Sequence, residues 1–145
     1  MKHGVWITFL TLTLGAAPSF VQAQDTQKAT ADGLSLGSIT LGKKVMADGR
    51  PLAAGTYQVR LSSDEPKPAV GQSPSSERYV EFLRGGQVVG REVATVISNT
   101  EMATMDKWVK PAPNSTKVET LRGGDYLRVW INRAGNNYLI HLPPA

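Results

Sequence analysis

The chain is poor in residues that do covalent chemistry. It has no cysteine and two histidines, His3 and His141. His141 sits alone in an apolar strand pattern, where an imidazole is expected to pack or face solvent and not to ligate a metal. No His-x-x-x-His or His/Cys cluster has zinc spacing. The adjacent pair Asp64-Glu65 lacks the spacing of a calcium loop. No Ser-x-x-Lys nucleophile motif is present. Gly85-Gly86 and Gly123-Gly124 are placed to close hairpins, not to open a phosphate-cradling helix. The residues therefore point to no catalytic group, no metal and no cofactor. A hydrolase assembled in space from dispersed carboxylates remains the enzymatic alternative.

Binding chemistry is better represented. In Tyr126-Leu127-Arg128-Val129-Trp130-Ile131-Asn132 the aliphatic residues Leu127, Val129 and Ile131 fall on one strand face. Tyr126, Arg128, Trp130 and Asn132 fall on the other. Aromatics interleaved with arginine offer rigid area with polar handles, suited to stacking on sugar rings or receiving a peptide. The competing reading is packing under a covering element, with arginine lying over tryptophan. The segment 99–108, which carries Met102, Met105 and Trp108, is the expected cover. Tyr126, Arg128, Trp130 and Trp108 are thus the candidate ligand-binding residues, and the partner class is a carbohydrate or a protein.

Those residues need strands to hold them, and period-two patterning supplies strands from Leu34 onward. Thr56-Tyr57-Gln58-Val59-Arg60-Leu61-Ser62 is the clearest, with Tyr57, Val59 and Leu61 inward and Arg60 in solvent. One buried and one wet face implies an antiparallel sheet. Asp48-Gly49 suits a tight hairpin turn. Leu-Arg-Gly-Gly occurs twice, at 83–86 and 121–124, each time between strand patterns, so both Gly-Gly pairs are expected to be two-residue turns with positive φ. Gly90 interrupts a long returning strand and marks a bulge. Residues 63–77, rich in proline and serine, are expected to form a loop without fixed structure. A short helix is expected within 99–108, capped by Asn99 or Thr100, with Met102 and Met105 on one face as a lid. Residues 138–142 close the series. The expected fold is all-β, a single antiparallel β-sandwich or small barrel of seven or eight strands, with at most one short helix.

The N-terminus reads as an export signal. Lys2 and His3 precede the uncharged apolar run Val5–Leu14. Gly15 and Pro18 break that run, and Val21-Gln22-Ala23 places small residues at −3 and −1 of a cleavage site. The run is shorter than the ~20 residues of a membrane-spanning helix. The expected organisation is a signal peptide over 1–23, a flexible lead-in over 24–33 and one β domain over 34–145. The product would be periplasmic or extracellular. The 16 Lys+Arg and 12 Asp+Glu give a net charge of +4 and are interspersed. That argues against nucleic acid as partner, and stable membrane insertion is not expected. An outer-membrane barrel is disfavoured by short, Gly-rich and charged strands.

Lys44-Val45-Met46-Ala47-Asp48-Gly49-Arg50-Pro51-Leu52-Ala53-Ala54-Gly55-Thr56-Tyr57 resembles a pattern of secreted bacterial β-domains of the DUF2911 and prealbumin-like types. There an Asn/Asp-Gly hairpin leads into a Leu-x-Ala-Gly-Thr-Tyr strand start. The resemblance implies a secreted sandwich in which Leu52 plugs one end and Tyr57 enters the core. It covers no catalytic residue and implies no activity.

Overall fold

The computed structural model describes residues 33–145 except Pro74 and Asp106. The expected signal peptide, and the lead-in up to residue 32, lie outside the described residues. The alternating pattern becomes β1 (Ser35–Leu41), β2 (Val45–Ala47), β3 (Arg50–Leu52), β4 (Gly55–Leu61), β5 (Glu77–Arg84) and β6 (Gln87–Ser98). After the helix α1 (Asn99–Ala103) come β7 (Ser115–Thr120), β8 (Leu127–Arg133) and β9 (Asn136–Leu142). Seven strands form one antiparallel sheet in the order β1-β4-β5-β6-β9-β8-β7, and β2–β3 make a separate hairpin. The large sheet curls into a nearly closed barrel. Its two edge strands meet where Thr116 Oγ1 on β7 donates to the Ser38 carbonyl on β1 at 3.3 Å.

Side-chain alternation sorts the barrel into a dry inside and a wet outside. Ile39, Tyr57, Val59, Val80, Phe82, Ala94, Val129 and Ile140 meet in one core. Thr40, Thr56, Gln58, Arg60 and Glu81 face outward, and Arg60 pairs with Glu81 at 2.7 Å. Val59 is buried as the pattern requires, whereas Leu61 is half-buried at the barrel's end.

That barrel has unlike ends. At one, the β2–β3 hairpin folds over the opening and inserts Val45, Ala47 and Leu52, each at most 2% exposed. Met46 N–H donates to the Pro143 carbonyl at 2.8 Å and fastens the hairpin to the C-terminal segment. Leu52 lies so close to Gly90 that a Cβ there would fall 2.8 Å from Leu52 Cδ2. The β5–β6 register shifts at this point, from Phe82↔Gly90 to Leu83↔Val88, which is the expected bulge. Among the described residues, the other end, where β4 finishes and β5 begins, carries no such plug.

Three turns have positive φ at both central residues: Asp48-Gly49, Gly85-Gly86 and Ala134-Gly135. Gly123 and Gly124 also have positive φ, but they do not form a two-residue turn. Pairing between β7 and β8 stops at Thr120↔Leu127, and 121–126 is a wider loop held by Leu121 N–H on the Tyr126 carbonyl at 2.9 Å. Identical tetrapeptides thus make different turns, because strand register and not the Gly-Gly pair sets where pairing ends.

The helix also departs from expectation. Its N-cap is Ser98, which accepts from Glu101 N–H while the Glu101 carboxylate accepts from Ser98 N–H, a capping box. The Ser98 hydroxyl, donating to Glu101 Oε2 at 2.8 Å, and then the Ser98 N–H hold the Glu101 carboxyl below its ordinary pKa. The helix stops at Ala103, so Met102 is buried while Met105 is 38% exposed and does not join it in a lid. The described residues of the 63–77 loop form neither strand nor helix before Glu77, and Asp64 pairs with Arg91 at 3.3 Å and Glu65 with Arg78 at 3.5 Å. Gln72 N–H donates to the Ala69 carbonyl at 3.0 Å within it.

Candidate functional site

Strand register decides what lies beside the singled-out face of β8. Glu119, Arg128 and His141 align across β7, β8 and β9, and Lys117, Trp130 and Leu139 form the next row. Both rows are on the outside of the barrel. Over the second row the chain leaving α1 folds back. Met102 packs on Trp130 and Leu139, with Ile97 beside them, making a small second core outside the first.

Trp130 is the centre of that second core and is only 2% exposed. Its indole N–H donates to Asn137 Oδ1 at 2.9 Å, so its polar edge is satisfied internally. Asn137 Nδ2 in turn donates to Asn99 Oδ1 at 2.8 Å, and Asn132 Nδ2 donates to the Pro111 carbonyl at 2.9 Å. These bonds fasten the 99–114 connection to the sheet. The exposed stacking role expected of Trp130 is therefore corrected: segment 99–108 covers it. Trp108 is left at the surface, 42% exposed, edge-on to Trp130 with ring centroids 5.6 Å apart. Arg128 completes the group, its guanidinium carbon 4.9 Å from the Trp108 ring centre.

Of the four candidates, the structure brings Trp108, Arg128 and Trp130 together and leaves Tyr126 apart. Tyr126 lies in the 121–126 loop, outside β8, and is 47% exposed. In its place are residues the sequence did not single out. A shallow groove of about 370 Å³ runs between Lys107, Trp108, Lys117, Glu119 and Arg128, with Trp130 in its wall. Glu119 accepts from Lys117 Nζ at 2.9 Å and from Arg128 Nη1 at 3.3 Å. Arg128 Nε–H also donates to His141 Nε2 at 3.2 Å. Burial, and then the Arg128 charge, push the His141 pKa below its ordinary 6.5 and favour the neutral acceptor. Lys117 and Glu119 were legible only as an alternating strand; their place beside Trp108 depends on a cross-strand register that no local pattern fixes.

Elsewhere, several of the described carboxylates make structural contacts. Glu92 accepts from the backbone N–H groups of Asp48 at 2.8 Å and Val93 at 2.9 Å, and Arg91 lies between Asp48 and Asp64. Among the described residues, no group of three or more His, Cys, Asp or Glu side chains is placed to hold a metal ion. No helix among them is long and apolar enough to cross a membrane. Comparison of the chain with protein-family models, curated proteins and solved structures returned no match.

Proposed function

We propose that this protein is an exported, non-enzymatic binding module that recognises an acidic oligosaccharide in the outer groove beside Trp108. The observation that carries the reading is the half-exposed indole of Trp108, held edge-on against buried Trp130 and flanked by Arg128. An indole already fixed in place stacks on a sugar ring with little further loss of side-chain freedom. Among the described lining residues, Lys107, Lys117 and Arg128 are basic and Glu119 alone is acidic, which favours a uronate over a neutral sugar. Export is supported by the basic start, apolar run and small-residue cleavage site of residues 1–23. A water-borne barrel is supported by an apolar inside and a polar outside, the reverse of a lipid-facing barrel.

The test is calorimetric titration with tetragalacturonate, using cellotetraose as the neutral control. The acidic tetrasaccharide should bind and the neutral one more weakly. Trp108→Ala should remove binding with an unchanged circular dichroism spectrum. Equal binding by wild type and Trp108→Ala, or no binding of either sugar, would contradict the reading.

A further inference from the structure

The end of the barrel where β4 finishes and β5 begins carries a second, unrelated feature. Arg78, the second residue of β5, is in register with Ala94 and in phase with Val80 and Phe82, all three of which are core residues. Alternation therefore directs Arg78 to the inside of the barrel, at its mouth. Its Nη1 reaches Glu65 of the 63–77 loop at 3.5 Å, a long contact to a carboxylate that is itself 67% exposed. Its Nε is buried and finds no hydrogen-bond partner among the described residues. A buried guanidinium donor left unmet is costly, and such a group in a native structure calls for a ligand, a water or an ion.

Around Arg78 the mouth encloses about 380 Å³, with Leu61, Val96 and Tyr138 as apolar wall and Asn136 and Glu65 at the rim. That is within the size of small-molecule sites, and mouths of small β-barrels are a common place for them. Burial pushes the Tyr138 phenol above its ordinary pKa, so its hydroxyl stays protonated and able to donate. An apolar cup with one inward guanidinium and a neutral phenol suits a particular ligand chemistry: one carboxylate on a short apolar body.

We propose that the open barrel mouth binds a small aliphatic carboxylate, its carboxyl group taken by Arg78 and its tail lying against Leu61, Val96 and Tyr138. Glu65 holds the guanidinium when the site is empty and competes with the ligand for it. The site is separate from the Trp108 groove and does not rest on it.

Calorimetric titration of the full chain with hexanoate, against hexanamide as the uncharged control, reads this directly. Hexanoate should bind saturably and hexanamide more weakly. Arg78→Gln should weaken hexanoate binding by about tenfold or more, the loss expected for a charge-assisted pair. Glu65→Gln, on an exposed loop, should tighten it by about two- to fivefold, the strength of a surface ion pair. Absence of saturable binding, equal affinity for acid and amide, or unaltered affinity in a folded Arg78→Gln overturns the proposal. Should Arg78→Gln fail to fold, unchanged or weaker binding by Glu65→Gln overturns it instead.

Discussion

Two tryptophans whose ring centres lie 5.6 Å apart differ sharply in burial. Trp130 fills the second core and donates to Asn137, so Trp130→Ala should destabilise the fold by about 3–5 kcal/mol in a denaturant titration, the usual cost of truncating a buried aromatic. Trp108 is 42% exposed, and its truncation should cost much less than that of Trp130. Equal losses from the two substitutions would mean that both rings are structural. His141 supplies a pH dependence whose sign follows from its lowered pKa. The unfolded chain takes up the imidazole proton before the folded one, so the contribution is fully present above about 6.5 and is lost as pH falls through the folded-state value. Thermal melts from pH 8 to pH 5 should show His141→Gln losing less stability on acidification than the wild type. A steeper fall in the variant would reverse the assignment.

At the level of elements, the sequence was most informative where a pattern needs only its neighbours. Period two in Tyr57 and Val59 put both inside, and Asp48-Gly49 and Gly85-Gly86 made the expected tight turns. Gly90 made the expected bulge, and the plug beside it explains why a glycine stands there. Gly90→Val should destabilise the domain more than Ser75→Val does. A branched side chain at position 90 would drive into Leu52, while Ser75 lies in an exposed loop. Equal tolerance at the two positions, measured by urea denaturation, would show that the hairpin can lift away without loss. Elements whose bounds depend on distant partners were read less well. The 121–126 loop, the Ser98 cap and the separation of Met105 from Met102 all follow from where β6 and β7 stop pairing, and the local residues do not encode that.

For the whole molecule, alternation and turn spacing specified an all-β domain but left sandwich and barrel equally open, because closure depends on β1 meeting β7 across the length of the chain. The candidate site was half legible for the same reason. Arg128 and Trp130 share a strand face by simple parity, whereas Trp108, Lys117 and Glu119 reach them only through the fold. Closure also creates two barrel ends, which among the described residues differ: one is plugged by β2–β3 and the other leaves the mouth at Arg78. If residues 1–23 direct export, mass spectrometry of the exported product should give an N-terminus at Gln24; a product retaining Val5–Leu14 would contradict that. On the proposed function, Trp130 is the covered floor and Trp108 the exposed contact of one binding face, and the indole N–H resonances of both, assigned by single substitutions to Phe, report this during titration with tetragalacturonate. The Trp108 signal should shift saturably and exchange rapidly with solvent, while the Trp130 signal, its N–H bonded to Asn137, should stay protected and nearly still. A stationary Trp108 signal at saturating sugar, or a Trp130 signal that exchanges as fast as Trp108, would contradict it.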